Sequence, residues 1–437
     1  MNQDFEIKNG ELIKYHGNAK EVIIPDSVTS IGNHVFSFCK NLTSVIIPDS
    51  VKSIGNEAFS WCLGLLSITI PDSVTAIGKN AFSFCKSLKS VSIPDSMTSI
   101  GHSVFKHCES LTSVSIPDSV KSIGNYAFSF CESLTSVIIP DSVTSIGYSA
   151  FKNCSGLTSV SIPDSVTSIE NYAFYNCSHL ISVIIPDSVT SIGYGIFSGC
   201  KSLISVSIPD SVTSIESSAF YGCSKLKSIT IPDSVTSIGN HAFEYCSGLT
   251  SVNIPHSVTS IGDSAFYGCS GLISVIIPES VTEIKEHAFR GCTKLKQIPM
   301  MIVDNKILYE PESRNGVSFS EIRYFVQNHD YSMKIHPDVK YNLIFQMYML
   351  GFDEEGISEY IKKNSVKMFR YLIDHEKIEI IRKILDSEKF VMKRSIDGYI
   401  QYAIDHKEYQ IQLILTNYKQ QKNWYQNIDE ISNKFKL

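Results

Sequence analysis

The chain has 437 residues, of which 43% are hydrophobic and 19% charged, and its net charge is −6. This balance suits a folded chain of roughly two or three domains and lacks the basic excess of a nucleic-acid binder. No run of eighteen apolar residues occurs, so no membrane-spanning helix and no membrane insertion are predicted.

The N-terminus, MNQDFEIKNGELIKYHG, has neither the basic start nor the apolar run of a secretory signal. A cytoplasmic location is the default expectation; the alternative is the cell surface, or secretion by a route not visible in the sequence. Residues 5–17 read as a β-hairpin turning at Asn9-Gly10. Residues 1–20 are assigned as a cap.

An internal repeat follows. Proline stands at 25, 48, 71, 94, 117, 140, 163, 186, 209, 232, 255 and 278, always 23 residues apart. Phenylalanine (Phe36 to Phe289), leucine (Leu42 to Leu295) and all 12 cysteines (Cys39 to Cys292) keep the same step. A unit this short cannot bury its apolar side alone, so neighbouring units must stack into a solenoid. The stretch LTSVIIP (42–48) alternates as a strand, with Val45 and Ile47 inward, until Pro48 ends it. Asp49 is expected to bond amides within the Pro-Asp-Ser turn. Val51 and Ile54 return inward, and 56–62 reads as a short helical turn burying Ala58, Phe59 and Cys62. One strand per coil, spaced at about 4.8 Å, predicts a parallel sheet roughly 55–60 Å long. The glycine of the Ser-Ile-Gly step gives way to Glu170, Glu216 and Lys285. Its column therefore reflects close approach or a loose turn, not obligatory positive φ.

The pattern L-x-x-V-x-I-P followed by A-F-x-x-C-x-x-L, at period 23 over about residues 21–298, resembles the BspA-like type of leucine-rich repeat. That resemblance implies a β-lined solenoid that binds proteins or surfaces, often as an adhesin. The expected fold class is α/β: a leucine-rich repeat solenoid with a parallel β-sheet of about twelve coils, followed by a small all-α C-terminal domain.

The solenoid is assigned to 21–300. Residues 301–317 read as a closing strand pair (301–310) and a linker, because Met301 stands where the next proline is due. From about 318 to 420 the spacing is helical. YLIDHEKIEIIRKIL (371–385) and YAIDHKEYQIQLIL (402–415) echo each other as helix, break and helix, with a weaker copy at 348–361. This part resembles ankyrin helix pairs in architecture, without the T-P-L-H-x-A signature; a generic helical bundle is the alternative. Residues 421–437 are a polar tail.

Candidate chemistry is sparse. The cysteines lack C-x-x-C spacing. Coil stacking brings their sulfurs within reach of disulfides, but a buried thiol column is the expected state. An aspartate recurs from Asp26 to Asp233, with His256 and Glu279 completing the column. One carboxylate per coil favours a turn role over calcium. His34, His241 and His287 share a column without a nucleophile tied to them. No catalytic residue, metal site or cofactor is predicted.

Two columns flank the inward strand valine. One is serine: Ser44, Ser67, Ser90, Ser113, Ser136 and Ser159, continuing as Ser182, Ser205, Ser228, Ser251 and Ser274. The other varies: Ile46, Thr69, Ser92, Ser115, Ile138, Ser161, Ile184, Ser207, Thr230, Asn253 and Ile276. This uncharged strip of hydroxyls and aliphatics suits a protein, or a glycan, better than an ionic ligand; duplicated β-formers without a partner are the plain alternative. A second candidate is an aromatic stripe of Phe38, Trp61, Phe84 and Phe130, interrupted by His107. It reads as an interface anchor or as packing over the local turn. The expectation is a non-enzymatic protein-recognition scaffold. The alternatives are a BspA-type surface adhesin binding host matrix and an intracellular regulator with two docking surfaces.

Overall fold

The structure is a computed structural model that describes residues 4–278, 280–285, 287–295, 299–303, 306–309, 319–352, 354–391 and 393–424. The chain divides into two compact units, Met1–Ile298 and Pro299–Leu437.

The first unit is a parallel β-solenoid. Most coils carry two short strands rather than the single one predicted. The first is the expected segment, such as Ser44–Ile46; the second is the Ser-Ile step, such as Ser53–Ile54. Each stacks on its equivalent 23 residues away, Val45 on Ile68 and Ile54 on Ile77. The second strand was missed because two residues show no alternation; it exists because the stacked coils supply its partners. Pairing in this second ladder lapses after Ala76–Ile77 and Ser168–Ile169. At the first lapse the chains separate: a Cβ on Gly101 would lie 3.5 Å from the Ile77 carbonyl oxygen, against 2.8 Å for Gly124 and Ile100.

The third side of each coil forms no helical turn. It is a run of tight turns whose amides reach the following coil: Phe36 N donates to Ala58 O at 2.7 Å and Phe59 N to Ala81 O at 2.8 Å. Ala58, Phe59 and Cys62 are fully buried, as the pattern implied.

The core is a set of parallel columns. The rings from Phe36 to Phe289 stack nearly face to face, with centroids 4.9–5.7 Å apart. Each such pair contributes roughly 0.5–1.5 kcal/mol beyond its buried area. The cysteines are all free, and every one but the half-buried Cys39 is buried. Each buried thiol donates to the carbonyl of the preceding coil's phenylalanine, Cys62 Sγ to Phe36 O at 3.1 Å and Cys85 Sγ to Phe59 O at 3.2 Å. The thiol thus fills space as a small hydrophobe and also satisfies a buried acceptor, which valine or alanine would leave orphaned.

The solenoid begins on the hairpin Phe5–Lys8 and Glu11–Tyr15. Asn9 (φ 52°) and Gly10 (φ 81°) both adopt the left-handed conformation that a tight two-residue turn requires. Leu12 pairs with Ile31 and starts the second ladder, and the Tyr15 ring covers Phe36 at 5.0 Å.

The second unit contains the antiparallel pair Pro299–Val303 and Lys306–Tyr309, then helices α1 (Phe319–Asn328), α2 (Pro337–Leu350), α3 (Glu354–Asp374), α4 (Ile378–Asp386), α5 (Lys393–Asp405) and α6 (Tyr409–Gln421). The echo between 371–385 and 402–415 has a physical basis. Lys377 N donates to Leu372 O and Glu376 N to Ile373 O; Glu408 N and Lys407 N repeat both bonds on Ala403 and Ile404. Phe352 N and Gly351 N do the same on Met347 and Tyr348, which makes 348–361 a third copy of the same helix stop. Tyr402 Oη donates to Asp374 at 3.0 Å and ties one copy to the previous one. Residues 310–317 of the expected closing segment and linker, residue 318 at the start of the expected helical part, and 425–437, most of the expected tail, lie outside the described residues.

Burial pushes the thiols of Cys85, Cys154, Cys200 and Cys292 up to about 12. Their folded pKa is raised, so the stability they contribute is complete below the unfolded thiol pKa of about 8.5 and is lost as pH rises toward about 12. In reductant, the urea midpoint is expected to fall steadily above about pH 9. A maleimide at pH 8 is expected to label Cys39 quickly and the other thiols only on unfolding. Rapid labelling of several thiols in the native protein would contradict the buried column.

Candidate functional site

The first ladder presents both predicted outward columns on one face. Ser44 is half-buried, while Ser67, Ser90, Ser113, Ser136 and Ser159 are exposed. In the variable column Ile46, Ile138 and Ile184 are 58%, 76% and 73% exposed. Thr69, Ser92, Ser115, Ser161, Ser207, Thr230 and Asn253 are also exposed. Ile276 pairs with Asn253 in the same ladder. The inward residues between them, Val45, Ile68 and Val91, are buried. Strand alternation therefore sorts the columns as predicted.

The face has relief, set by side-chain size and by a lapse in strand pairing between Ser113–Ser115 and Ser136–Ile138. Three consecutive coils carry small residues in the variable column, and there Ser67, Thr69, Ser90, Ser92, Ser113 and Ser115 line a shallow depression floored by Ile68, Val91 and Val114. Exposed Ile46 stands on the coil before it and exposed Ile138 on the coil after. Further apolar exposure lies at the strand entrance, at Leu66, Ile181, Ile204 and Ile273.

The Pro-Asp-Ser turn behaves differently from the expectation. It closes through its backbone, Val51 N to Pro48 O at 3.1 Å. In most coils the serine supplies the side-chain bond, reaching back to the previous coil: Ser50 Oγ to Val28 O at 2.6 Å, Ser73 Oγ to Val51 O at 2.7 Å and Ser142 Oγ to Val120 O at 2.6 Å, whereas Ser119 and Ser280 Oγ in the same column are buried without a partner among the described residues. Among the described residues, no hydrogen bond or ion pair involves the carboxylates from Asp26 to Asp233. All ten are exposed. The turn role assigned to aspartate belongs to serine, whose hydroxyl both reaches and donates to a buried carbonyl, which a carboxylate cannot do. The aspartates remain as a line of unpaired charge, one per coil.

The aromatic stripe is a stack. Phe38, Trp61, Phe84, His107 and Phe130 lie nearly parallel, with successive centroids at 5.9, 4.0, 4.3 and 4.1 Å. Their faces are turned to one another; only terminal Phe38 is strongly exposed, at 61%. Burial between rings, with Lys106 adding to it, lowers the His107 pKa. Every member has positive φ, from 60° to 64°. Asn153, Asn176, Tyr245 and Gly199, Gly222, Gly268 and Gly291 continue the same left-handed column. The late glycines and asparagines were the signal for this backbone, and the early aromatics hid it. A second left-handed column, from His34 and Glu57 through Tyr126 to His287, had no residue-type signal. The Ser-Ile-Gly column reflects close approach: a Cβ on Gly55 would lie 2.6 Å from the Gly32 carbonyl carbon. Glu170 nonetheless keeps the amide bond of that position, to Ile146 O at 2.9 Å.

Sequence reasoning also missed a band of tyrosines on the turn side. Tyr126, Tyr148, Tyr172 and Tyr194 meet edge to face at 5.1–5.6 Å. Of the histidine column, His241 Nδ1 lies 2.5 Å from Glu244, and Asp263 stands 3.9 Å from both His241 and His287. Among the described residues, no group of three or more histidine, cysteine or acidic side chains is placed to hold a metal ion. Within them, no helix is long and apolar enough to cross a membrane.

A stack of 23-residue coils with a phenylalanine-lined core and an inner strand ladder is a leucine-rich repeat solenoid. The BspA-type leucine-rich repeat model matches in six copies over residues 9–132, 98–227 and 213–307, and the chain belongs to that family. The chain is similar to a leucine-rich repeat protein from Bacteroides ovatus, at 36% identity and TM-score 0.55, over 63% of this chain and 77% of that one. It is also similar to a leucine-rich cell surface protein from Faecalibacterium prausnitzii, at 37% identity and TM-score 0.48, over 65% of this chain and 89% of that one. No curated protein matches the chain.

Two stability outcomes follow. Ser142→Ala is expected to cost about 1 kcal/mol, because Val120 O loses its donor, while Asp141→Asn, at an exposed side chain without a hydrogen bond among the described residues, is expected to leave the melting point unchanged or slightly raised at low salt. Thermal melts at two ionic strengths measure both. In the stack, Phe84→Gly is expected to be about 1 kcal/mol less destabilising than Phe84→Ala, because φ is 60° there. The reverse order would show that the left-handed backbone is not retained.

Proposed function

We propose that the chain is a non-enzymatic recognition scaffold that holds a protein partner on the outer face of its first strand ladder. The observation that carries this reading is the exposure of Ile138 and Ile184, 76% and 73%, on a face whose remaining outward residues are largely serine and threonine. Both lie on short strands paired with the adjoining coil at Ser159 and Ser182 or at Ser205, so the apolar surface is held on a rigid backbone before any partner arrives. Uncharged, part-apolar, pre-formed surface favours protein contacts, in which desolvated aliphatics contribute energy and hydroxyls supply direction. The aromatic stack turns its faces to one another and serves this reading less well.

A partner recovered from native lysate or from host extracellular material identifies the ligand class. Ser113→Lys, Ser136→Lys and Ser159→Lys together are expected to abolish its capture while leaving the melting transition in place, since all three side chains are exposed. Unchanged capture would move the site off this face. Protease treatment of intact cells then separates a surface adhesin from an intracellular regulator that uses its helical unit as a second docking surface.

A further inference from the structure

The strand face and the line of unpaired carboxylates adjoin. Ile46 and Asp49 are three residues apart, at most roughly 10 Å along the chain, and every coil from the first aspartate to Asp233 repeats that offset. The carboxylates have no part in the turn, whose hydrogen bonds come from proline's carbonyl and serine's hydroxyl. Lys52 and Lys121 lie three residues beyond Asp49 and Asp118, and neither closes an ion pair with them. The opposite border of the face is largely neutral across the depression, with Leu66 and Thr112 flanking Lys89. A partner lying along the solenoid axis therefore meets aliphatic rims and hydroxyls on one side and a row of negative charge on the other.

Resting on the sheet-face reading, we propose that the occupant of the depression between Ile46 and Ile138 is an extended polypeptide bearing aliphatic and cationic side chains, the aliphatics seated between the two isoleucines and the cations set against Asp72, Asp95 and Asp118. Charge complementarity selects this occupant. A neutral glycan or an acidic segment gains nothing from the carboxylates, and an acidic one is repelled. The row also steers a cationic chain into alignment with the coils, since adjacent charges lie well within the Debye length of about 8 Å at physiological salt.

The test uses the full chain and a twelve-residue peptide alternating leucine with lysine, beside matched leucine–serine and leucine–glutamate peptides, with binding read by fluorescence anisotropy at low and physiological salt. The lysine peptide is expected to bind at least about tenfold more tightly than the serine peptide, and the glutamate peptide not at all. Both the triple variant Asp72→Asn, Asp95→Asn, Asp118→Asn and the filling variant Ser92→Phe are expected to weaken the lysine peptide about tenfold. Thermal melts confirm that each variant is folded. Equal binding of lysine and serine peptides, lost in Ser92→Phe alone, would overturn the cationic partner and leave the sheet-face reading standing. Lysine-peptide binding lost in the aspartate variant but untouched by Ser92→Phe would mean that charge alone adsorbs the peptide, and the proposed seat would be wrong. Absence of binding by all three peptides also counts against the proposal, while the serine-to-lysine variants still decide the broader reading with the native partner.

Discussion

Each inner phenylalanine binds the next coil twice through its backbone. Its amide donates to that coil's alanine, or the residue in that column, and its carbonyl accepts that coil's cysteine thiol, while the ring stacks on the next ring about 5 Å away. These contacts require the same atoms at the same height in every coil. A one-residue insertion would move phenylalanine, thiol and valine out of their columns together and leave buried carbonyls without donors, at about 1–3 kcal/mol each. The strict step of 23 residues follows from that requirement.

Straight columns inside imply straight columns outside. A solenoid held this way converts residue choice at one position into a line along its axis: serines along the strand face, isoleucines where that face rises, carboxylates beside it. Differences between coils then mark position along the axis, while columns that do not vary act together as rows. The depression is lined by Thr69, Ser92 and Ser115, which are smaller than Ile46 and Ile138, and its far edge falls where strand pairing lapses between Ser113–Ser115 and Ser136–Ile138. The Pro-Asp-Ser turn separates structural from surface work within two adjacent residues. Serine bonds the preceding coil; aspartate faces water with no bond among the described residues.

The repeat, the inward columns, the hairpin turn at Asn9-Gly10 and the helix stops at 374–377 and 405–408 were legible because each depends on local chemistry or on period. The second strand ladder was illegible. Ser53 and Ile54 carry no pattern of their own and become a strand only when the neighbouring coil supplies partners. The aromatic stripe was visible as composition, but its geometry was not. Rings on a positive-φ column turn to face one another, and nothing in Phe38, Trp61 or Phe84 announces that backbone. The turn role was assigned to the wrong residue of the Pro-Asp-Ser turn because aspartate's habit in isolated turns was carried into a stack, where the acceptor to be satisfied belongs to another coil.

The sequence by itself determined the architecture. A 23-residue period with invariant phenylalanine, leucine and cysteine admits no other way to bury those side chains than stacking, and alternation around Val45 or Val91 sets which residues face out. The tertiary structure alone decided which polar groups are occupied and which are free, because hydrogen-bond partners lie 22 to 26 residues away. Distances of that kind are set by how closely coils approach, and no single coil encodes them. That approach gives serine and cysteine their partners, faces the aromatics toward one another, and leaves the isoleucines and aspartates at the surface.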